Sequence, residues 1–304
     1  MSLTIVGIIV SFSQLQGSSR HLYKQLIVGI LMVIYVTKAS GEKEVFDPRK
    51  IKRTLLRAGA KSVVADGIVN RISKQVRDGM STRQLLDRVL LMLKQEPQVA
   101  SRYDLKAALM RLGPTGFMFE KFVARLLKEY GYETRTNLML KGRCVKHEVD
   151  VVAKNKEVSV FIECKYHNES GIYTNLHVAM YTWARFVDLQ DGAAKGLCER
   201  FDQGWLVTNT RFSQDAAEFG VCRGLRLIGW HFPKQGNLQW LIESKKLWPV
   251  TVLGVEKFIL EQLVASHLLL VKDIALLSAD DVAKKAKIQF SKAQRLVRDA
   301  QVLI

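Results

Sequence analysis

Cysteine is scarce in this chain: Cys144, Cys164, Cys198 and Cys222 are the whole set, with no C-x-x-C pair and no histidine-rich run beside them. That pattern excludes a zinc-ribbon type of site and a disulfide framework, and fits reduced, mostly buried thiols of a cytoplasmic protein. Long hydrophobic runs are also missing. The apolar stretches 2–10 and 26–36 are each shorter than the roughly 20 residues that cross a bilayer. No basic start with a small-residue cleavage site marks a signal peptide. No stable membrane association is therefore expected. Residues 1–31 read as a non-native or poorly ordered extension, with Met32 as the natural start of the first domain. Low-complexity tracts and internal repeats are absent as well.

Acidic residues are the remaining shortage, 29 against 46 Lys and Arg, for a net charge of +17. Such a surplus points to a polyanionic partner, nucleic acid or an anionic surface. It is uneven: residues 32–112 carry a net +9, residues 113–243 only +2 and residues 244–304 +4. The basic charge thus lies mainly on either side of the central stretch.

The central stretch holds the most informative residues. HEVDVVA (147–153) and VFIECKYH (160–167) alternate like strands around a polar break, KNKE (154–157), which predicts a hairpin. Period two places Glu163 and Lys165 on one face and turns Cys164 to the other, and Asp150 can lie opposite that pair if the strands are neighbours. Two carboxylates and an ammonium at one end of a hairpin suit phosphodiester hydrolysis, since carboxylates hold a hard divalent cation and the lysine orients water. Solvated charges on an edge strand are the alternative. The apolar flanks Val149, Val151, Val160 and Ile162 argue for central strands, where unpaired charge is costly.

Together with GFMFEKFVARLLKEYGYET (116–134), these runs resemble the PD-(D/E)xK nuclease fold and, more narrowly, Mrr-like restriction endonuclease domains, over roughly residues 114–235. The resemblance puts Phe119-Glu120 on the helix that precedes the hairpin, Asp150 at the metal-binding aspartate and Glu163 and Lys165 at the E-x-K motif. It implies a catalytic set of Asp150, Glu163, Lys165 and Glu120. Mg²⁺ or Mn²⁺ would be held by Asp150, Glu163 and the Cys164 carbonyl, and one-metal and two-metal arrangements both stay open. No position of the set is substituted.

From Met32 to about Leu112, Val36-Thr37-Lys38, Gly41, Glu44-Val45-Phe46-Asp47, Lys50-Ile51 and Ala58 resemble the ATP-cone, a small nucleotide-binding regulatory module. Asp47-Pro48 reads as an N-cap followed by proline at the first helical position. Lys50 and Arg53, at i and i+3, can grip a triphosphate from one face. The resemblance implies ATP or dATP held by Lys38, Gly41, Lys50 and Arg53. It also shows a departure, Ala39 where the family usually has arginine, so weaker binding or another base preference is expected. Residues 80–93 and 101–112 read as amphipathic helices.

Gly113-Pro114-Thr115-Gly116 marks a boundary. Beyond it, 178–190 reads as a helix with Met180, Trp183, Ala184 and Val187 on one stripe, and Arg185 on it reads as a phosphate contact or a surface ion pair. Residues 205–212 and 225–232 read as buried strands around a helix at 213–224, with Thr208 and Asn209 in a loop suited to DNA-facing polar groups. Alternating strands and helices indicate an α/β sheet. Residues 257–270 and 278–303 read as helices. The break at Lys287–Ser291 looks like a degenerate helix-hairpin-helix that lacks its glycines, where Lys284, Lys285, Lys287 and Lys292 supply phosphate contacts; a packing bundle is the alternative.

The sequence thus predicts an α/β fold class with three parts after the N-terminal extension (1–31): an ATP-cone (32–112), a restriction-endonuclease-like mixed sheet flanked by helices (113–243) and a helical DNA-contacting module (244–304). The expected activity is Mg²⁺-dependent endonucleolytic cleavage of double-stranded DNA, of restriction or DNA-processing type. A purine nucleoside triphosphate is expected to act through cleavage or through assembly into a homo-oligomer. The rival is a nucleotide-responsive DNA-binding regulator that does not cut; the intact Asp150, Glu163 and Lys165 count against it.

Overall fold

A computed structural model describes residues 33–113 and 115–304, preceded by two short antiparallel strands, β1 (Leu3–Ile5) and β2 (Ile8–Val10). The expectation for residues 1–31 otherwise lies outside the described residues.

The first unit opens with β3 (Tyr35–Thr37) and β4 (Lys43–Val45), an antiparallel pair whose turn places Gly41 at φ +82°, a conformation that favours glycine. Asp47 caps α1 (Pro48–Arg57): its carboxylate accepts the Arg49 N–H at 3.0 Å, and Pro48 takes the first helical position, as the sequence predicts. Next come α2 (Ser62–Gln75) and the two-residue strand β5 (Met80–Ser81), which pairs with β3 in parallel. Ser81 and Gln84 form a capping box on α3 (Thr82–Met92). Val36, Leu55, Ile68, Ile72, Val89 and Leu93 form a core of their own. The predicted helix at 101–112 is two, α4 (Pro97–Tyr103) and α5 (Leu105–Met110), which meet at Asp104. Leu105, Leu109 and Leu112 pack into the core of the next unit, not this one.

That second unit is a five-stranded mixed sheet in the order β12-β10-β8-β7-β6. α6 (Gly116–Lys128) leads into an antiparallel meander, β6 (Glu133–Lys141), β7 (Lys146–Lys154) and β8 (Ser159–Lys165), so the predicted hairpin forms around residues 155–158. After β9 (Tyr173–Thr174) and α7 (Leu176–Ala194), β10 (Gln203–Thr208) adds to β8 in parallel. α8 (Gln214–Cys222) then leads to β12 (Arg226–Ile228), parallel to β10. The expected strand at 205–212 is interrupted after Thr208, because β11 (Arg211–Phe212) leaves the sheet to pair with β9. The strand expected at 225–232 ends at Ile228.

One face of the sheet, with Val151, Ile162, Cys164 and Trp205, packs on Phe119, Phe122 and Leu126 of α6. The other, with Val152, Phe161 and Leu206, packs on Ala179, Phe186 and Leu189 of α7. The predicted α7 stripe is therefore displaced: Met180 and Ala184 are exposed, while Ala179, Thr182, Arg185, Phe186 and Leu189 face inward.

Short helices close the chain: α9 (Leu238–Ser244), α10 (Lys257–Ala265), α11 (Val271–Ala275), α12 (Ala279–Ala286) and α13 (Phe290–Leu303). Leu241, Leu260, Leu263, Ile274, Leu296 and Ala300 share one continuous core with α6. Each fully buried leucine or isoleucine contributes about 2 kcal/mol, so these helices stabilise the nuclease-like unit itself. No helix among the described residues is long and apolar enough to cross a membrane.

Candidate active site

The β7–β8 ladder is regular from Lys154↔Ser159 to Val151↔Ile162 and has no further pair. At the next residue, Asp150, the strand's alternation fails: Val149 and Val152 both face the α7 side, Val151 and Ala153 the α6 side. On the other flank of β7, the ladder to β6 skips Asn137, whose φ is +56°. Beyond the last β7–β8 pair, the Asp150 carboxylate accepts the Cys164 N–H at 2.7 Å. The sheet forks here, and side chains from three elements collect in the fork.

Glu120 enters from α6, Asp150 and Glu148 from β7, and Glu163 from β8. They feel one another. Burial, then the charges of Asp150 and Glu148, push Glu120 up to about 7. Burial, then Asp150, push Glu163 up to about 7, against the opposing pull of Arg185. Asp150 is also raised by burial, although the Cys164 amide and Arg185 act the other way. Lys165, exposed at the end of β8, is among the cations that favour the Asp150 carboxylate. Cys164 turns into the α6 core, and burial holds its thiol far above the usual range, so its side chain is no ligand. Of the predicted set, Glu120, Asp150 and Glu163 thus lie within electrostatic reach of one another, and Lys165 within reach of Asp150.

Two participants are additional. Glu148, two residues before Asp150, adds a fourth carboxylate; its i−2 position was the available signal. Arg185 is no surface ion pair. It is 6% exposed, its guanidinium is ion-paired with Glu163 and donates to the Glu148 carbonyl, and its Nε has no hydrogen-bond partner among the described residues.

Among the described residues, no three His, Cys, Asp or Glu side chains stand ready-made around one metal position. The chemistry of the donors nevertheless fits a hard divalent cation: crowded oxygen ligands, half-buried, whose protonation is favoured first by burial and then by one another's charge, both of which a bound cation would offset.

Behind the fork, Asn209 is fully buried and clamps the chain after Lys165. Its Oδ1 accepts the His167 N–H at 2.9 Å and its Nδ2 donates to the His167 carbonyl at 2.8 Å. Thr208, also buried, accepts from Thr174, which in turn meets the His167 ring. Thr208 and Asn209 are thus internal braces and not the DNA-facing groups their loop position suggested. Tyr166 donates to the Met110 carbonyl of α5.

In the first unit, Lys38 and Lys50 converge on Glu44, with Lys38 at 2.7 Å. Lys50 lines a groove with Asp47, Phe46 and Ile51; Arg53 does not line it, and its charge reaches Asp47 and His231 instead. At the C-terminal hairpin, Lys287 takes the left-handed position, φ +52°, where a glycine would be easiest. Lys284, Lys285 and Lys287 are exposed, whereas Lys292 is tied to Glu256 at 2.8 Å.

A forked mixed sheet with a helix that brings Glu120 beside a D…E-x-K hairpin is the architecture of restriction-endonuclease-like nucleases. The sequence comparisons agree: residues 113–229 match the restriction endonuclease catalytic family and residues 34–105 the ATP cone domain. The chain belongs to the family in which an ATP-cone domain is followed by an Mrr-type restriction endonuclease domain. An uncharacterized protein of Archaeoglobus fulgidus is 37% identical over 182 residues, 60% of this chain and 99% of the relative. The crystal structure of AF1548, a protein of unknown function, superposes with a TM-score of 0.55 at 36% identity, over 62% of this chain and 97% of that one. Can2 from Sulfobacillus thermosulfidooxidans, solved with cyclic tetra-adenylate, gives a TM-score of only 0.30 at 15% identity, over 65% of this chain and 51% of Can2.

Proposed function

We propose that this protein is a metal-dependent endonuclease that hydrolyses phosphodiester bonds of double-stranded DNA and is regulated by ATP or dATP. The observation that carries the reading is the meeting of Glu120, Asp150 and Glu163 beside Lys165 at the sheet's fork. Asp150, Glu163 and the Cys164 carbonyl would hold Mg²⁺ or Mn²⁺, which when bound supplies charge stabilisation at the phosphate and acidifies a bound water. Lys165, exposed at the strand end, orients the attacking water and meets the scissile phosphate's charge. Glu120, poised near neutrality, can accept a proton or bind a metal-held water. The exposed lysines 284, 285 and 287 supply sequence-independent phosphate contacts.

Incubation with supercoiled plasmid, with and without Mg²⁺ and with and without ATP or dATP, tests the reading. Nicked or linear DNA that needs the divalent ion supports it. Binding without cleavage under every condition replaces it with the non-cutting regulator.

A further inference from the structure

A cleft of about 420 Å³ lies between the ATP-cone and the nuclease sheet, within the size range of small-ligand sites. One wall is the Lys38–Ser40 turn with Arg83 of α3; the other is the 170–173 loop with Thr210 and Arg211; Tyr103 and Lys106 also line it. The walls are seated closely. Gly171 has φ +93°, and a Cβ there would lie 2.8 Å from the Ser40 nitrogen and 2.9 Å from the Ala39 carbonyl carbon.

The charge in this cleft is unbalanced. Its acid, Asp104, is already held by Arg111 at 3.1 Å, and Arg83 pairs with Asp87 at 3.3 Å. Lys106 and Arg211 make no ion pair among the described residues. Burial, then Arg211, lowers the Lys106 ammonium. Nearby His231 is pushed down to about 4 by burial and then by Arg211, Lys106, Arg57 and Arg53. Positive potential concentrated between low-dielectric walls is the setting in which an anion binds. Next to the cleft, across Thr82, Leu86 and Tyr103, runs an apolar groove of about 210 Å³ lined by Phe46, Ile51 and Leu85. One ligand with a flat apolar body and a polyanionic tail would fill both.

We propose that this cleft holds the polyphosphate of a nucleoside triphosphate, with Lys106 from the cone end and Arg211 from the nuclease unit closing on it from opposite walls. The inference rests on nucleotide regulation and deepens it, because a residue of the nuclease unit then completes the effector site. Occupancy favours the conformation in which both walls are in place, which is what coupling requires. Arg211 opens β11, and the chain Thr210–Thr208–Thr174–His167 runs from it to the residues just after Lys165.

Calorimetry on the full chain with ATP, AMP and inorganic tripolyphosphate, in wild type, Arg211→Ala, Arg211→Lys and Lys50→Ala, tests the proposal. Arg211 is exposed, so its loss should leave the melting temperature unchanged. Arg211→Ala should weaken ATP and tripolyphosphate by about tenfold or more and AMP far less, with partial recovery in Arg211→Lys. Unchanged ATP affinity in Arg211→Ala, with a loss in Lys50→Ala, overturns the proposal and leaves nucleotide regulation standing. Reduced DNA affinity with unchanged ATP affinity overturns it in favour of a DNA contact. No heat from any nucleotide with wild type removes both readings.

Discussion

Arg185, on the helix behind the sheet, is ion-paired with Glu163, the first residue of the E-x-K motif, at a point where both side chains are largely out of water. Its guanidinium supplies positive charge to a fork that otherwise gathers carboxylates, and it also ties the Glu148 carbonyl. Removing one partner of a buried pair costs about 3–5 kcal/mol, because the other charge is left unanswered. Glu163 can take up a proton, which caps the penalty. Arg185→Met should therefore lower stability by about 2–4 kcal/mol at pH 8 and by less at pH 6. Urea melts at the two pH values check this; equal losses at both would mean Glu163 does not titrate near neutrality.

Chemistry at the fork should depend on Asp150 and Lys165 far more than binding does. Asp150→Ala and Lys165→Ala should each reduce DNA cleavage by about 10³-fold or more, the scale expected when a metal ligand or an electrostatic group of the transition state is lost. DNA affinity should change little, since the basic surface lies elsewhere. Single-turnover cleavage beside a filter-binding curve separates the two, and mutants that cut like wild type would move the site.

The pH dependence follows from Glu120 and Glu163, both raised to about 7. Ligation needs the ionised form, so cleavage should rise with pH through about 7. Stability of the metal-free protein should run the other way. A carboxyl whose folded pKa is raised contributes stability that is fully present below its unfolded value near 4.5 and is lost as pH rises through about 7. Melting temperatures without metal should accordingly fall between pH 6 and pH 8, and added Mg²⁺ should restore more at pH 8. Glu148→Gln removes one of the charges that raise Glu120 and Asp150, so it should shift the cleavage midpoint down by about half a pH unit.

The D…E-x-K hairpin was legible because period two and motif spacing act within a few residues. The ATP-cone was legible by resemblance, from the motif that runs from Val36 to Ala58, and its turn glycine and Asp47-Pro48 cap, both local chemistry, agree with that. Arg185 was not, because an arginine on a helix is read as solvated unless its carboxylate partner is known. Its i+3 spacing from Thr182 on the inward stripe was the one hint. Thr208 and Asn209 were misread for a similar reason: polar residues at a strand end face solvent unless a second loop, here at His167, packs over them. The continuity of the last sixty residues with the α6 core depends on long-range packing that periodicity does not carry.

That continuity decides how the DNA surface can be tested. Deleting residues 244–304 would strip Leu260, Leu263, Ile274 and Leu296 from the shared core and unfold the nuclease unit. Charge substitutions avoid this. Replacing Lys284, Lys285 and Lys287 with glutamine should weaken DNA binding and flatten its salt dependence by about one unit of log–log slope per lost phosphate contact. Affinities measured at several salt concentrations give the slope; an unchanged one would move the surface to the ATP-cone.

Beside the threonine chain that starts at Arg211, a second link from effector to fork should run from Lys106 and α5 through Tyr166. Its hydroxyl donates to the Met110 carbonyl at the end of α5, and Asn209 also reaches the Met110 sulfur, at 3.0 Å. Gly113 permits this approach, for a Cβ there would lie 2.9 Å from the Tyr166 ring and 2.5 Å from Asn168. Tyr166 immediately follows Lys165, so a displacement of α5 would be felt at the motif strand without crossing a flexible linker. Tyr166→Phe removes one hydrogen bond, worth about 0.5–1.5 kcal/mol, and keeps the ring packed on Phe119, with centroids 5.5 Å apart. Nucleotide affinity and basal cleavage should stay within about twofold of wild type, while the change in cleavage on adding ATP should shrink by several-fold, in keeping with a coupling energy of this size. Cleavage rates at zero and saturating ATP, in both proteins, measure it. An undiminished ATP effect in Tyr166→Phe would place the coupling in the Thr208–Thr174–His167 chain instead.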